Sequence, residues 1–183
     1  TLGSPVWACQ FVAISFIRDR ASVIRLFIFS IQTFLLVGWL WALIALTPLG
    51  LSFFILAFGV SEAVAKEAQL CVLISTLIVP CVFFRSLSYA LLMLNRRTTL
   101  VTLGTMIRLL GLFAILTGLQ GSRSGALIGM VALTACIAIE SFYAVIAAQK
   151  YYFNLPSNSE PLPQYKELWR FGWPVILLSL IHI

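Results

Sequence analysis

The chain has 183 residues, with 12 Lys+Arg against 6 Asp+Glu and a mean hydropathy of +1.04. Residues of the AVILMFWYC set make up 61% and charged residues 10%, where soluble domains carry about 45–50% and about 25%. So few charges do not cover a globule of this size, which excludes a soluble enzyme, a disordered tail and a disulfide-stapled secreted module and leaves an integral membrane protein.

A spanning helix needs about 20 mainly apolar residues. In chain order the pattern predicts a partial helix over 5–17 and a full span over 22–47, stopped by Thr47-Pro48-Leu49-Gly50 because Pro and Gly disfavour continuation. The run 51–60 is too short to cross and reads as an interfacial or re-entrant helix. Full spans follow over 68–94, where Pro80 bends the helix and frees a carbonyl, and over 98–119. Gln120-Gly121-Ser122-Arg123-Ser124 makes a tight turn into the span 125–149. The polar linker 154–164, with Pro156, Pro161 and Pro163, leads to an amphipathic segment beginning at Lys166 and a last partial span over 168–183. The expected fold class is therefore all-α, a polytopic transmembrane helix bundle.

Orientation follows the basic residues. One set of helix ends carries Arg18, Arg20, Arg25, Arg96, Arg97, Lys150, Lys166 and Arg170, and the other only Lys66 and Arg123. The first set is cytoplasmic. Arg96-Arg97-Thr98-Thr99 reads as an inside anchor with Thr capping the next helix. Trp7, Trp39 and Trp41 suit headgroup-level or packing positions, as do the tryptophans after Lys166. Cys9, Cys71, Cys81 and Cys136 have no Cys-x-x-Cys spacing and read as small buried apolar residues. Ser30 and Gln32 suit either a pathway lining or interhelical hydrogen bonding.

The remaining charges fall inside spans. Arg85, Arg108 and Glu140 each cost roughly 3 kcal/mol at a helix centre, and such groups usually face a bundle interior or a wet cavity. Counted from the cytoplasmic charge ring, all three lie about 15 Å deep at 1.5 Å per residue, near mid-bilayer. Gly104, Arg108, Gly111 and Gly118 share a stripe that lets another helix approach. Glu140 shares one with Leu133, Cys136, Ala144 and Ala147, and Tyr89 stands one turn from Arg85. Beside snorkelling of Arg85 or Arg108 to an interface, which their depth disfavours, two readings stay open. In one, Glu140 pairs with an arginine and the pair orients helices. In the other, a positive cavity receives a carboxylate, phosphate or diphosphate on Arg85 and Arg108, with Tyr89 contributing a hydroxyl and Glu140 acting as ion or proton switch.

No catalytic constellation is visible: there is no His-Glu-x-x-His, no paired aspartates and no metal-ligand spacing, so the chain reads as a non-enzyme without metal. The single histidine, His182, lies in Leu178-Ser179-Leu180-Ile181-His182-Ile183, the translation of CTG TCT CTT ATA CAC ATC, a common transposon sequencing adapter. That tail reads as adapter-derived, and the chain, with no initiator Met, as a fragment.

The order of features resembles the multidrug/oligosaccharidyl-lipid/polysaccharide (MOP) exporter superfamily. The strongest local likeness is Arg85-Ser86-Leu87-Ser88-Tyr89-Ala90-Leu91-Leu92-Met93-Leu94-Asn95-Arg96-Arg97-Thr98, similar to the R-x-x-x-x-x-L-L-x-x-x-R-R-T run of MATE-type and progressive-ankylosis-like members; Phe171-Gly172-Trp173-Pro174 resembles the start of their seventh helix. The resemblance implies one six-helix lobe of a two-lobe transporter, truncated at both ends: an N-terminal lobe over 1–152, a cytoplasmic inter-lobe linker over 153–167, and the start of the second lobe over 168–183. It also implies alternating access, a C-terminal lobe as partner, a bilayer (a bacterial inner membrane) as surroundings, and a coupling proton or Na+ as the only cofactor. Two buried arginines favour export or flipping of a small or lipid-linked anionic substrate over the cation-coupled multidrug antiport of MATE proteins. A non-transporting membrane scaffold or assembly subunit is the remaining alternative, and nucleic acid is not an expected partner.

Overall fold

The computed structural model describes residues 4–119, 125–157 and 164–181. The 120–124 turn with Arg123, residues 158–163 of the linker, and His182 and Ile183 lie outside the described residues, as do the side chains of Trp7 and Cys9. Within them the chain forms α1 (Ser4–Phe16), α2 (Arg20–Leu46), α3 (Pro48–Phe58), α4 (Glu62–Thr76), α5 (Ile78–Leu94), α6 (Thr98–Gly118), α7 (Gly125–Phe153) and α8 (Tyr165–Ile181), with no strand among them. The fold is all-α. Three stretches are long and apolar enough to cross a membrane: α4 and α5 together (Glu62–Leu94), α6 and α7. Their outward faces carry large apolar side chains such as Leu110, Phe113 and Phe142, each about 70% exposed, which suits hydrocarbon and not water.

Local chemistry sets the boundaries. Between α1 and α2, Asp19 and Ser22 form a reciprocal capping box: the Ser22 N–H donates to the Asp19 carboxylate at 2.6 Å, and the Asp19 N–H donates to the Ser22 hydroxyl at 3.1 Å. Pro48 opens α3 at its first turn, where a missing N–H is harmless, and Gly59 closes it in the left-handed region at φ 64°. The short helix begins three residues before the expected 51, because Pro48 starts a helix as readily as it stops one. Pro80 has no N–H to offer the Thr76 carbonyl, and the helix breaks there as expected: the Leu77 N–H bonds back to Ile74 at 3.1 Å, separating α4 from α5. α4 also starts at Glu62, earlier than the expected 68, with a first-turn Glu62–Lys66 ion pair of 2.7 Å.

The α5–α6 turn corrects one expectation. Arg97 is the N-cap of α6 without a side-chain bond, and Thr98 is its first helical residue, so Thr98 caps nothing. The turn is held instead from the other side, by a Schellman pair in which the Arg97 N–H donates to Leu92 and the Arg96 N–H to Met93, both at 2.9 Å. This places Arg96 at φ 56°, where glycine is usual.

At the end that carries Arg18, Arg20, Arg25 and Lys150, α1, α2, α5, α7 and α8 share one core built around Leu26, Phe29, Leu92, Ala148 and Leu168. Arg20 ties this end together. Its backbone N–H donates to Pro156 at 3.1 Å, its Nε to Leu155 at 3.0 Å and its Nη2 to Phe153, so one guanidinium covers the carbonyls left open at the C-terminus of α7. Arg25 lies over the Tyr165 ring at 5.0 Å, and Trp169 meets Phe29 edge-on at 5.0 Å, docking α8 on α2. Trp41 packs beside the smaller core of Val79, Val82, Phe83 and Ile137, while Trp39 and Trp173 face outward. Ser30 is buried and Gln32 exposed.

At the opposite end, Gln69 of α4 donates to the carbonyls of Ile44 at 3.2 Å and Thr47 at 2.9 Å, closing the C-terminus of α2. Gly50 sits against that turn so tightly that a Cβ would fall 1.8 Å from the Ile44 carbonyl oxygen. Gly50→Ala in the full-length chain should therefore lower stability by about 2 kcal/mol or more, read as a fall in thermal midpoint in detergent. Arg96→Gly should raise it by about 1 kcal/mol, because the left-handed turn no longer carries a Cβ.

Candidate anion-binding site in the membrane

The three intramembrane charges meet. α5 presents Arg85 and Tyr89 one turn apart, α7 presents Glu140 from the opposite side, and α6 brings Arg108 across α7. The Glu140 carboxylate is 1% exposed and engaged on both oxygens. Arg85 Nη1 donates to Oε2 at 2.8 Å, the Tyr89 hydroxyl donates to Oε1 at 2.9 Å, and Arg108 Nη1 stands 3.4 Å from Oε2. Two cations on one carboxylate leave the cluster with a net charge of +1. The three side chains that residue counting brings to one depth do meet.

The arginines are not equivalent. The Arg85 side chain is 9% exposed and at hydrogen-bond distance from Glu140, whereas Arg108 is 24% exposed and at ion-pair distance only. Beside them opens a cleft of about 230 Å³ lined by Gln10, Arg85, Tyr89, Met93, Val101, Thr105, Arg108 and Glu140. Gln10, whose amide reaches the Met93 sulfur at 3.5 Å, and Thr105 were not singled out from the sequence. Gln10 is the one side-chain amide on an apolar α1, and that was the available signal.

Small residues make the meeting possible. A Cβ on Gly104 would lie 2.1 Å from the Tyr89 hydroxyl, and one on Gly111 would lie 3.3 Å from the Cys136 sulfur. The expected stripe thus holds at Gly104 and Gly111. It does not extend to Gly118, where an added Cβ would meet none of the described residues within 4 Å. On α7, Cys136 and Ala144 are buried and Ala147 half-buried, but Leu133 turns outward. Ser141, next to Glu140, fixes the α5–α7 register: its hydroxyl lies 2.6 Å from the Cys81 carbonyl and 2.7 Å from its own helix's Ile137 carbonyl. The Tyr143 hydroxyl donates to Leu100 at 3.2 Å, fastening α7 to the first turn of α6.

Among the described residues, no three His, Cys, Asp or Glu side chains cluster as a metal site would require. Cys71, Cys81 and Cys136 are free thiols, of which only Cys136 is fully buried. Fold and hydropathy together define an α-helical membrane protein with a charged site inside its bundle. No family model, curated protein or solved structure matches the chain.

Removing the carboxylate would strand two cations in the bundle. Glu140→Ala should cost about 3–5 kcal/mol of stability, while Tyr89→Phe should cost about 1–3 kcal/mol for the lost bond to a charged acceptor. Thermal midpoints in detergent check the order.

Proposed function

We propose that the chain is part of a secondary transporter or flippase that exports a small or lipid-linked anionic substrate by alternating access, with Arg85, Arg108 and Tyr89 contacting the substrate and Glu140 coupling it to a proton or Na+. One observation carries this reading: two guanidinium groups converge on a single carboxylate at mid-span, beside an open cleft, with one positive charge in excess. A purely structural ion pair needs one arginine. The second adds a half-buried cation beside the cleft whose cost is offset when an anion arrives, and a planar guanidinium can hold a carboxylate or phosphate at two points. The Arg85–Thr98 run and the two-arginine cluster support a progressive-ankylosis-like or lipid-flipping member of the MOP superfamily, in a bacterial inner membrane. The excess of positive charge disfavours a cationic drug as substrate.

The scaffold reading draws support from the 2.8 Å Arg85–Glu140 contact, which by itself would lock α5 to α7. Water access separates the two. In the full-length protein with its native cysteines replaced, a cysteine introduced at Thr105 should react with a membrane-impermeant thiol reagent from one side of the membrane if the cleft is a transport cavity. Complete protection from both sides would favour the scaffold. Arg108→Ala should abolish uptake of the anion into everted vesicles while the protein is still made and inserted, since the Arg85–Glu140 pair still joins α5 to α7 and α6 keeps its glycine packing and the Tyr143–Leu100 hydrogen bond. Undiminished transport in Arg85→Ala and Arg108→Ala alike would refute the assignment.

A further inference from the structure

Resting on the anion-site reading above, we infer that the Glu140 carboxylate is a tethered stand-in for the substrate: it occupies the guanidinium groups of Arg85 and Arg108 in the empty site and must take up a proton for an anion to replace it there, so that anion and proton bind together. Glu140 holds the position an anionic group would need. Its Oε2 is the common acceptor for both arginines, at 2.8 and 3.4 Å, and its Oε1 takes the Tyr89 hydroxyl. With the carboxylate charged, the donors that line the cleft already point at an anion, and a second one would meet a like charge within the same few ångströms.

Charge conservation gives the sign. The empty site carries two cations and one carboxylate, net +1. If a monoanion joined without a proton, the buried cluster would fall to zero and two like-charged acceptors would compete for the same donors. If Glu140 becomes a neutral carboxylic acid as the anion binds, the cluster returns to +1, and its protein donors stay matched to one charged acceptor. A buried site whose charge is the same empty and loaded crosses the membrane at the same electrostatic cost in both half-cycles. The proton comes from water in the cleft, and no bond other than O–H forms or breaks.

The surrounding groups leave this role to Glu140. α5 contributes Arg85 and Tyr89 and α6 contributes Arg108; α7's own Cys136 lies one turn away and its Tyr143 hydroxyl is turned to the Leu100 carbonyl. α1 offers the cleft only the neutral Gln10, and the titratable groups of α4, which are Glu62, Lys66, Glu67 and Cys71, do not line it. Arg108, the looser and more accessible partner, is the cation that transfers to the incoming anion; Arg85 follows or keeps the protonated carboxyl as neighbour.

The test uses the purified full-length protein and methanesulfonate, a monoanion whose own charge is constant between about pH 5 and pH 8. Affinity, followed by calorimetry, should rise as pH falls, by at most about tenfold for each pH unit, and binding should take up to one proton per anion, read in buffers of different ionisation enthalpy. Glu140→Gln, a permanently neutral mimic of the protonated carboxyl that leaves the guanidinium charges to the anion, should bind more tightly than the native protein near pH 7 and with no pH dependence. Should Glu140→Gln fail to fold, proton uptake by the native protein still decides the question. PH-independent binding without proton uptake, or a folded Glu140→Gln that keeps the native slope, overturns the linkage while leaving the anion site standing. No methanesulfonate binding to either protein at any pH overturns both.

Discussion

One carboxylate organises the middle of this protein. Glu140 is the only acidic side chain within the cluster, and three helices are bound to it: α5 through Arg85 and Tyr89, α6 through Arg108, and α7 through its own backbone. Inside an apolar bundle a guanidinium that loses this carboxylate has no other charged acceptor beside it, only what the cleft admits. The glycines at 104 and 111, the small face of α7 and the Ser141 contact to α5 all serve to bring these groups within reach. Packing and electrostatics are here the same constraint viewed from two sides.

The basic residues at the end of the bundle near Arg20 do work that a count of charges does not reveal. Individually, Arg20 closes the C-terminus of α7 and Arg25 covers Tyr165 at the start of α8, so the segments on either side of the linker are both fastened to the first turns of α2. Arg96 and Arg97 differ again: they sit in a turn whose geometry favours glycine at position 96, yet the residue there is a charged arginine in the left-handed region.

Much of this was legible in the sequence because membrane helices announce themselves by length and composition, and because a charge in an apolar run is conspicuous. Counting residues from Arg96–Arg97 and from Lys150 was enough to bring Arg85, Arg108 and Glu140 to one depth, since a helix rises by a constant step. The convergence of both arginines on the same oxygen was not legible: it depends on how α5 and α6 both pack against α7 around Glu140, and helical periodicity gives a face, not a neighbour. Gln10 and Gln69 were missed for the same reason, each acquiring its role from a segment distant in the chain, and Gly50 was read as a helix stop without its close approach to the Ile44 carbonyl. Thr98 misled because a Thr before a helix is a good cap only when its backbone is extended, and the Schellman turn had already placed it inside.

The least embedded of the charged helices is α6. It leans mainly on α7, touches α5 little, and most of its surface carries large apolar side chains facing outward. What holds it at mid-depth is a pair of glycines, the Tyr143–Leu100 hydrogen bond and the Arg108–Glu140 pair. α5 is different, since it packs broadly on α1 and α7 and its arginine is almost enclosed. A change in the charge or partner of Glu140 therefore acts unequally: it removes a minor part of what fixes α5 and a major part of what fixes α6. In a bundle where helix association relies on close packing and a few polar contacts, that asymmetry ties the occupancy of the cleft to the position of one helix in particular.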